Sequence, residues 1–261
     1  MVTPITTIAM AGKGGTGKTT IAGWAINYMI SNGTSPILVV DGDSNANLND
    51  VLGLEVTGTL SDLVEGMKKG SMPPMTRDIL MERKVHEIII EANGYDLLVM
   101  GRPEGPGCYC LANDLLASII EKLISKYPKV VIDNQAGMEF LSRLILKTID
   151  ILYVVSDSSH RGLNAAHRIW ELVDELSISV RYKYLILNKV KDEVSSETLD
   201  EIQKKGLILA GAIPENGEVY HWDQVGKATS KINPMNPAVR VAHEIFARTM
   251  NGGEILPLIQ P

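Results

Sequence analysis

A chain of 261 residues is long for one domain yet within reach of a single large α/β core, and 45% hydrophobic with 21% charged residues excludes a disordered chain. A formal net charge of -6 lacks the basic stripe that phosphate-backbone binding needs, so nucleic acid is not an expected partner. MVTPITTIAM carries no Lys or Arg ahead of a glycine loop, no apolar run reaches the roughly 18 residues of a membrane helix, and NGGEILPLIQP lacks a basic amphipathic pattern, so neither a leader nor a membrane partner is expected and the cytoplasm is the expected compartment.

The first β-branched run, ITTIAMAG, predicts a strand ending in a glycine loop; TTIAGWAINYMI then has the three-to-four spacing of a helix, and PILVVD predicts a second strand. From about Val56 to Asn93 the pattern is least regular. SMPPM is a break and RDILMERKVHEIII has charged helical spacing, which predicts a helical elaboration between the second and third strands. DLLVMG predicts the third strand, LANDLLASIIEKLI a helix, KVVIDN and ILYVVSD the next two strands, LNAAHRIWELVDEL a helix, and YKYLILN and LILAGAIP the last two strands. Near-continuous apolar runs suit parallel strands buried on both faces. The alternation predicts one domain over 1–261, a doubly wound, mostly parallel sheet with helices on both faces, whose ligands gather at the carboxyl ends of the strands.

Between the first strand and the first helix lies GKGGTGKTT. Gly12 to Thr19 matches the G-x-x-x-x-G-K-[ST] phosphate loop in the strand-to-helix setting that gives the motif its meaning, so the fold is expected to be that of a P-loop NTPase. Its glycines let backbone N–H groups turn inward around a phosphate, and the helix that follows adds the positive end of its dipole. Gly12, Lys13, Gly14, Gly15, Thr16, Gly17, Lys18, Thr19 and Thr20 are therefore candidates for nucleotide binding, Lys18 at the β- and γ-phosphates and the Thr19 hydroxyl at Mg²⁺.

The extra lysine, Lys13 in KGGTGKTT, resembles the deviant Walker A loop of the ParA, MinD and nitrogenase iron protein class. The resemblance implies ATP/ADP and Mg²⁺ as ligands, an ATPase activity, and a homodimer in which Lys13 reaches the partner's phosphates. It also implies that Asp43 in DGDSNANL is the switch I carboxylate acting on the attacking water and that Asp133 in DNQAGMEFL is the switch II carboxylate acting through Mg²⁺-bound water, with Gly137 near the γ-phosphate. Asn188 in LILNKV, with Pro214 and Glu215 after GAIP, matches positions where this class holds adenine; an asparagine there could equally cap the next turn. ATP over GTP rests on the resemblance, since NKVKD is only a partial match to the guanine-reading N-K-x-D.

Both cysteines, Cys108 and Cys110, sit in GPGCYCLAND. In the class it resembles, the loop after the third strand approaches the dimer axis, so two thiols per chain become four, a closed set for one tetrahedral Zn²⁺ or one square-planar Ni²⁺. Cys110 precedes an expected helix whose dipole favours the thiolate by about 0.3–1 kcal/mol. A disulfide between the two would close a small, strained ring, and two buried inert thiols are the plain alternative that a glycine-flanked loop disfavours. The nitrogenase iron protein holds a second cysteine shortly after the switch II aspartate, where this chain has Phe140. The C-x-C together with Asp133, Ala136, Gly137 and Glu139 instead looks like the CooC family of carbon monoxide dehydrogenase maturation ATPases and their acetyl-CoA synthase relatives. That resemblance implies a metallochaperone-type ATPase with a client nickel enzyme. An iron-sulfur electron donor and a ParA/MinD-like positioning ATPase remain alternatives. His86, His160, His167, His221 and His243 are scattered without metal-ligand spacing, although His160 and His167 could share a helix face.

Overall fold

The computed structural model describes residues 7–68, 83–102, 120–135, 148–176 and 178–250. Its frame is an eight-stranded sheet built from β1 (Thr7–Gly12), β2 (Ile37–Gly42), β3 (Ile90–Ala92), β4 (Tyr95–Val99), β5 (Lys129–Asn134), β6 (Thr148–Ser156), β7 (Ser179–Val190) and β8 (Leu209–Pro214). The spatial order is β3-β4-β2-β5-β1-β6-β7-β8, and every pairing is parallel except β3 with β4. The seven expected strands are all present. β3 is an addition inside the stretch expected to be helical, where residues 83–88 are helical and Ile90 then begins the strand. Three residues on an exposed edge are too short to show an alternation.

Among the described residues, helices run over α1 (Lys18–Ser31), α2 (Leu48–Leu52), α3 (Leu60–Lys68), α4 (His160–Glu175), α5 (Ser196–Lys204), α6 (Gly217–Gln224) and α7 (Pro237–Thr249), with a 3₁₀ turn at Thr229–Lys231, and residues 83–88 and 120–124 are helical as well. Alternate strand residues enter two cores, as the period of two requires. Ala9, Ala11, Leu38, Val40 and Ile132 face α3, α4 and α5. Ile8, Met10, Val39, Val131 and Tyr153 face α1, α2 and α7. Each fully buried Val, Ile or Leu contributes on the order of 1.5–3 kcal/mol, so two continuous apolar layers stabilise the sheet, and the Asn134 amide donating to the Met10 carbonyl at 2.8 Å and the Thr7 N–H donating to Asp150 at 2.9 Å tie β1 to its two neighbours. The helix α1 is buried almost all round, from Ile21 through Ile26, because the sheet, α2, α7 and the 3₁₀ turn enclose it. The Trp24 indole N–H donates to the Thr229 carbonyl at 3.0 Å and the Asn27 amide to the Ser230 carbonyl at 2.6 Å, which pins the 3₁₀ turn to α1.

Two consequences of this frame set up the site. The chain leaves β1 near the middle of the sheet and moves to one side for β2 and to the other for β6, which opens a crevice at the carboxyl end of β1. Asp41 of β2 and Asp133 of β5 are register partners at that same end. Among the described residues no helix is long and apolar enough to cross a membrane.

Candidate functional site

The loop from β1 to α1 is shaped by close approaches that admit no side chain. At Gly12, φ is +151° and an added Cβ would lie 2.3 Å from the Val155 carbonyl oxygen of the neighbouring strand. At Gly17, φ is +91° and an added Cβ would lie 2.3 Å from the Asn188 amide nitrogen. The Lys13 carbonyl gathers the loop: it accepts from the Thr16 hydroxyl at 2.9 Å and from the Lys18 ammonium at 3.4 Å. Lys18 is thereby folded back with 6% exposure, whereas Lys13 itself is exposed.

The switch side is built differently. Asp41 is fully buried, and its two oxygens accept from the Asp43 N–H at 2.9 Å and the Leu48 N–H at 3.0 Å, so one carboxylate sets both the turn after β2 and the start of α2. Asp43 accepts from the Asn45 N–H at 2.9 Å and is partly exposed on the cleft. Burial pushes the Asp41 carboxyl up to about 6, opposed by those two N–H groups and reinforced by Asp43 and Asp50. Asp133 is 1% exposed; burial pushes it up to about 7, the Thr19 hydroxyl and Lys18 pull it down, and Asp41 and Asp43 push it up again. One of its oxygens, Oδ1, has no hydrogen-bond partner among the described residues. Gln135 donates from its amide to the Ser44 hydroxyl at 3.1 Å, joining the two switch strands beyond their ends.

These parts meet in a cleft of about 860 Å³. At its phosphate end stand Gly14, Gly15, Gly17, Lys18, Thr19 and Thr20, with Asp43 and Gln135 beside them. At the other end stand Asn188, Pro214, Glu215 and Asn216, with Val219 and Tyr220 on α6. Thus ten of the residues expected from the sequence converge on one cleft. Gly12, Thr16 and Asp133 underlie the loop, and Lys13 is exposed on it. A divalent cation fits the arrangement by donor chemistry: a hydroxyl, Thr19, hydrogen-bonded to a buried carboxylate with a free oxygen.

Some of the site was not foreseen. Asn216 caps α6 by accepting from the Glu218 and Val219 N–H groups, and it accepts from the Asn236 amide at 3.0 Å, which ties the far wall of the cleft to the start of α7. Lys189, Tyr220 and Asp223 also line the cleft, and no local pattern distinguishes them from surface residues. Asn188 donates to the Thr16 carbonyl at 2.8 Å, so it braces the phosphate loop from the end of β7. Cys108, Cys110, Ala136, Gly137, Glu139 and Phe140 lie outside the described residues. The histidines stay apart: His160 pairs with Glu201 at 2.7 Å and His167 with Glu171 at 3.3 Å. Among the described residues no group of three or more His, Cys, Asp or Glu could hold a metal ion.

Comparison with known proteins bears on this geometry. Residues 7–229 match the family described as the CobQ/CobB/MinD/ParA nucleotide binding domain. An uncharacterized ATP-binding protein of Methanocaldococcus jannaschii is 41% identical over 250 residues, covering 94% of this chain and 98% of that protein. The carbon monoxide dehydrogenase accessory protein CooC of Rhodospirillum rubrum is 28% identical over 243 residues, covering 87% of this chain and 90% of its own length. Among solved structures, the MinC:MinD cell division protein complex of Aquifex aeolicus superposes with a TM-score of 0.72 at 19% identity, covering 98% of each chain.

Proposed function

From the premise that this chain belongs to the CobQ/CobB/MinD/ParA nucleotide-binding family, we propose that it is an ATP-hydrolysing accessory protein for nickel insertion into a client enzyme, carbon monoxide dehydrogenase or acetyl-CoA synthase. The observation that carries this reading is the similarity to CooC over 87% of the chain, joined to a C-x-C pair, Cys108 and Cys110, in a chain with only two cysteines.

In this reading ATP occupies the cleft with its phosphates on the loop N–H groups and Lys18, and its adenine toward Asn188, Pro214 and Glu215. Thr19 and Asp133 would hold Mg²⁺, which supplies charge neutralisation at the phosphates. Asp43 accepts the proton of the attacking water; it stands at the mouth of a strand end, half-exposed, where a water can reach it. Lys13 is exposed, and in this reading it reaches the phosphates of a second copy. Two copies meeting across their loops would pool four thiolates, and Ni²⁺ or Zn²⁺ is the cargo. Hydrolysis relaxes the switch loops and alters affinity for metal or client. Inverting a 1:99 population in such a cycle takes roughly 5.5 kcal/mol of differential binding, to which a phosphate contact shared across the dimer contributes.

The test is metal content per chain with and without nucleotide. The expected result is tight Ni²⁺ or Zn²⁺ at about one per two chains, lost in Cys108→Ala. Unchanged metal binding in that variant, or a protein that stays monomeric with nucleotide and metal both bound, overturns the reading. Anaerobic reconstitution that yields bound iron and a visible absorption band would replace it with an electron-transfer role.

A further inference from the structure

Two consecutive residues at the end of β7 both reach the phosphate loop. The Asn188 amide donates to the Thr16 carbonyl at 2.8 Å, and the Lys189 ammonium donates to the Gly15 carbonyl at 2.9 Å. Successive side chains of a regular strand point to opposite faces, so an unbroken β7 could send only one of them there. The backbone supplies the exception. Lys189 has φ +57°, one of two side-chain-bearing residues in the left-handed region among the described residues, and the register of β7 against β8 is irregular between Leu187 and Val190. That irregularity turns both side chains to the cleft, which both of them line.

The left-handed region costs any residue with a Cβ and costs glycine nothing, so the backbone at this position favours glycine. A lysine stands there instead, and its ammonium has a definite recipient. A phosphate loop works by turning successive N–H groups inward toward an anion, which leaves its carbonyls facing outward in need of donors. Gly15 and Thr16 are such carbonyls, and Asn188 and Lys189 are their donors. The bond from Lys189 is charge-assisted, the stronger kind.

We propose that Lys189 is a positioning residue for nucleotide binding: a strap from β7 that holds the Gly15 carbonyl outward, keeps the loop's N–H groups turned to the phosphates, and adds positive charge to the cleft wall without touching the transferred phosphate. The inference rests on the family's nucleotide binding and not on metal delivery.

Lys189→Gly removes the strap while leaving a residue at ease with the backbone, and Lys189→Arg keeps a cation of similar reach. Calorimetric titration with Mg·ATP, with magnesium tripolyphosphate and with adenosine separates the ends of the cleft. In Lys189→Gly, ATP and tripolyphosphate should both weaken by roughly tenfold, adenosine binding should be unchanged, and Lys189→Arg should recover most of the ATP affinity. The melting temperature of the unliganded glycine variant should stay within about 2 °C of wild type, because relieved backbone strain offsets the looser unfolded chain. Wild-type ATP affinity in Lys189→Gly overturns the strap. So does weakened adenosine with intact tripolyphosphate, which would make Lys189 a base contact, and so does a large fall in unliganded melting temperature, which would make it a structural tie. A wild-type chain that binds no Mg·ATP, alongside an equally inert Lys18→Ala, would instead remove the nucleotide reading itself.

Discussion

The two ends of the phosphate site are held by opposite physics. On the loop side, carbonyls and donors are matched within the protein: Lys18 and Thr16 on the Lys13 carbonyl, Asn188 on Thr16, Lys189 on Gly15. On the switch side, two carboxylates in register are buried together, pushed up to about 6 and about 7, and one oxygen of Asp133 has no partner among the described residues. The loop's carbonyls are met by donors within the protein, whereas the switch side carries an electrostatic cost that a cation would relieve.

The comparison can be broken or sharpened by substitutions on each side. The largest effect is expected from Asp43→Ala, which should lower single-turnover ATP hydrolysis by about 10²-fold or more while Mg·ATP still binds. A rate within a few-fold of wild type would take the proton-accepting role away from Asp43. Next comes Gly17→Ala, where the new methyl would lie 2.3 Å from the Asn188 amide at φ +91°. The loop must shift, and Mg·ATP affinity should fall roughly tenfold to a hundredfold, read by calorimetry. An unaffected affinity would mean that the loop is not the rigid half.

The smallest effect is on stability. The carboxyl of Asp133 is raised from 3.8 to about 7 in the folded protein, so between those values the unfolded chain has released a proton that the folded chain keeps. Stability from this group therefore falls as pH rises through that window and is level above about 7. Asp133→Asn should flatten the slope between pH 5 and 7 in unliganded protein and raise its melting temperature at pH 8 by about 2–4 °C for each kcal/mol of relieved desolvation. It should also weaken Mg·ATP. A lower melting temperature for the asparagine variant at pH 8 would show that the switch side stores no such cost.

Legibility in the sequence followed the same division. The loop from Gly12 to Thr20 is contiguous, so its motif, its strand and its helix could all be read from one stretch. The seven long strands declared themselves through β-branched runs such as ILVVD and KVVID, while β3 offered only three half-exposed residues. Asn188 was legible as an asparagine ending a buried strand, but its contact with Thr16 spans 172 residues of chain and depends on sheet order and on the left-handed turn at Lys189. Asn216 read as part of a loop because its two tasks, capping α6 and meeting Asn236, exist only once α6 and α7 lie side by side.

The helix α6 forms the far wall of the cleft, yet none of its residues is fully buried, and its cap at Asn216 is its best-anchored point. Val219 and Trp222 of α6 nevertheless pack against the apolar layer that encloses α1 and α7, so the wall is tied to the core as well as to its cap. The far wall of the cleft and the helix that follows the phosphate loop therefore share one apolar layer, and a substitution that loosens that layer reaches both.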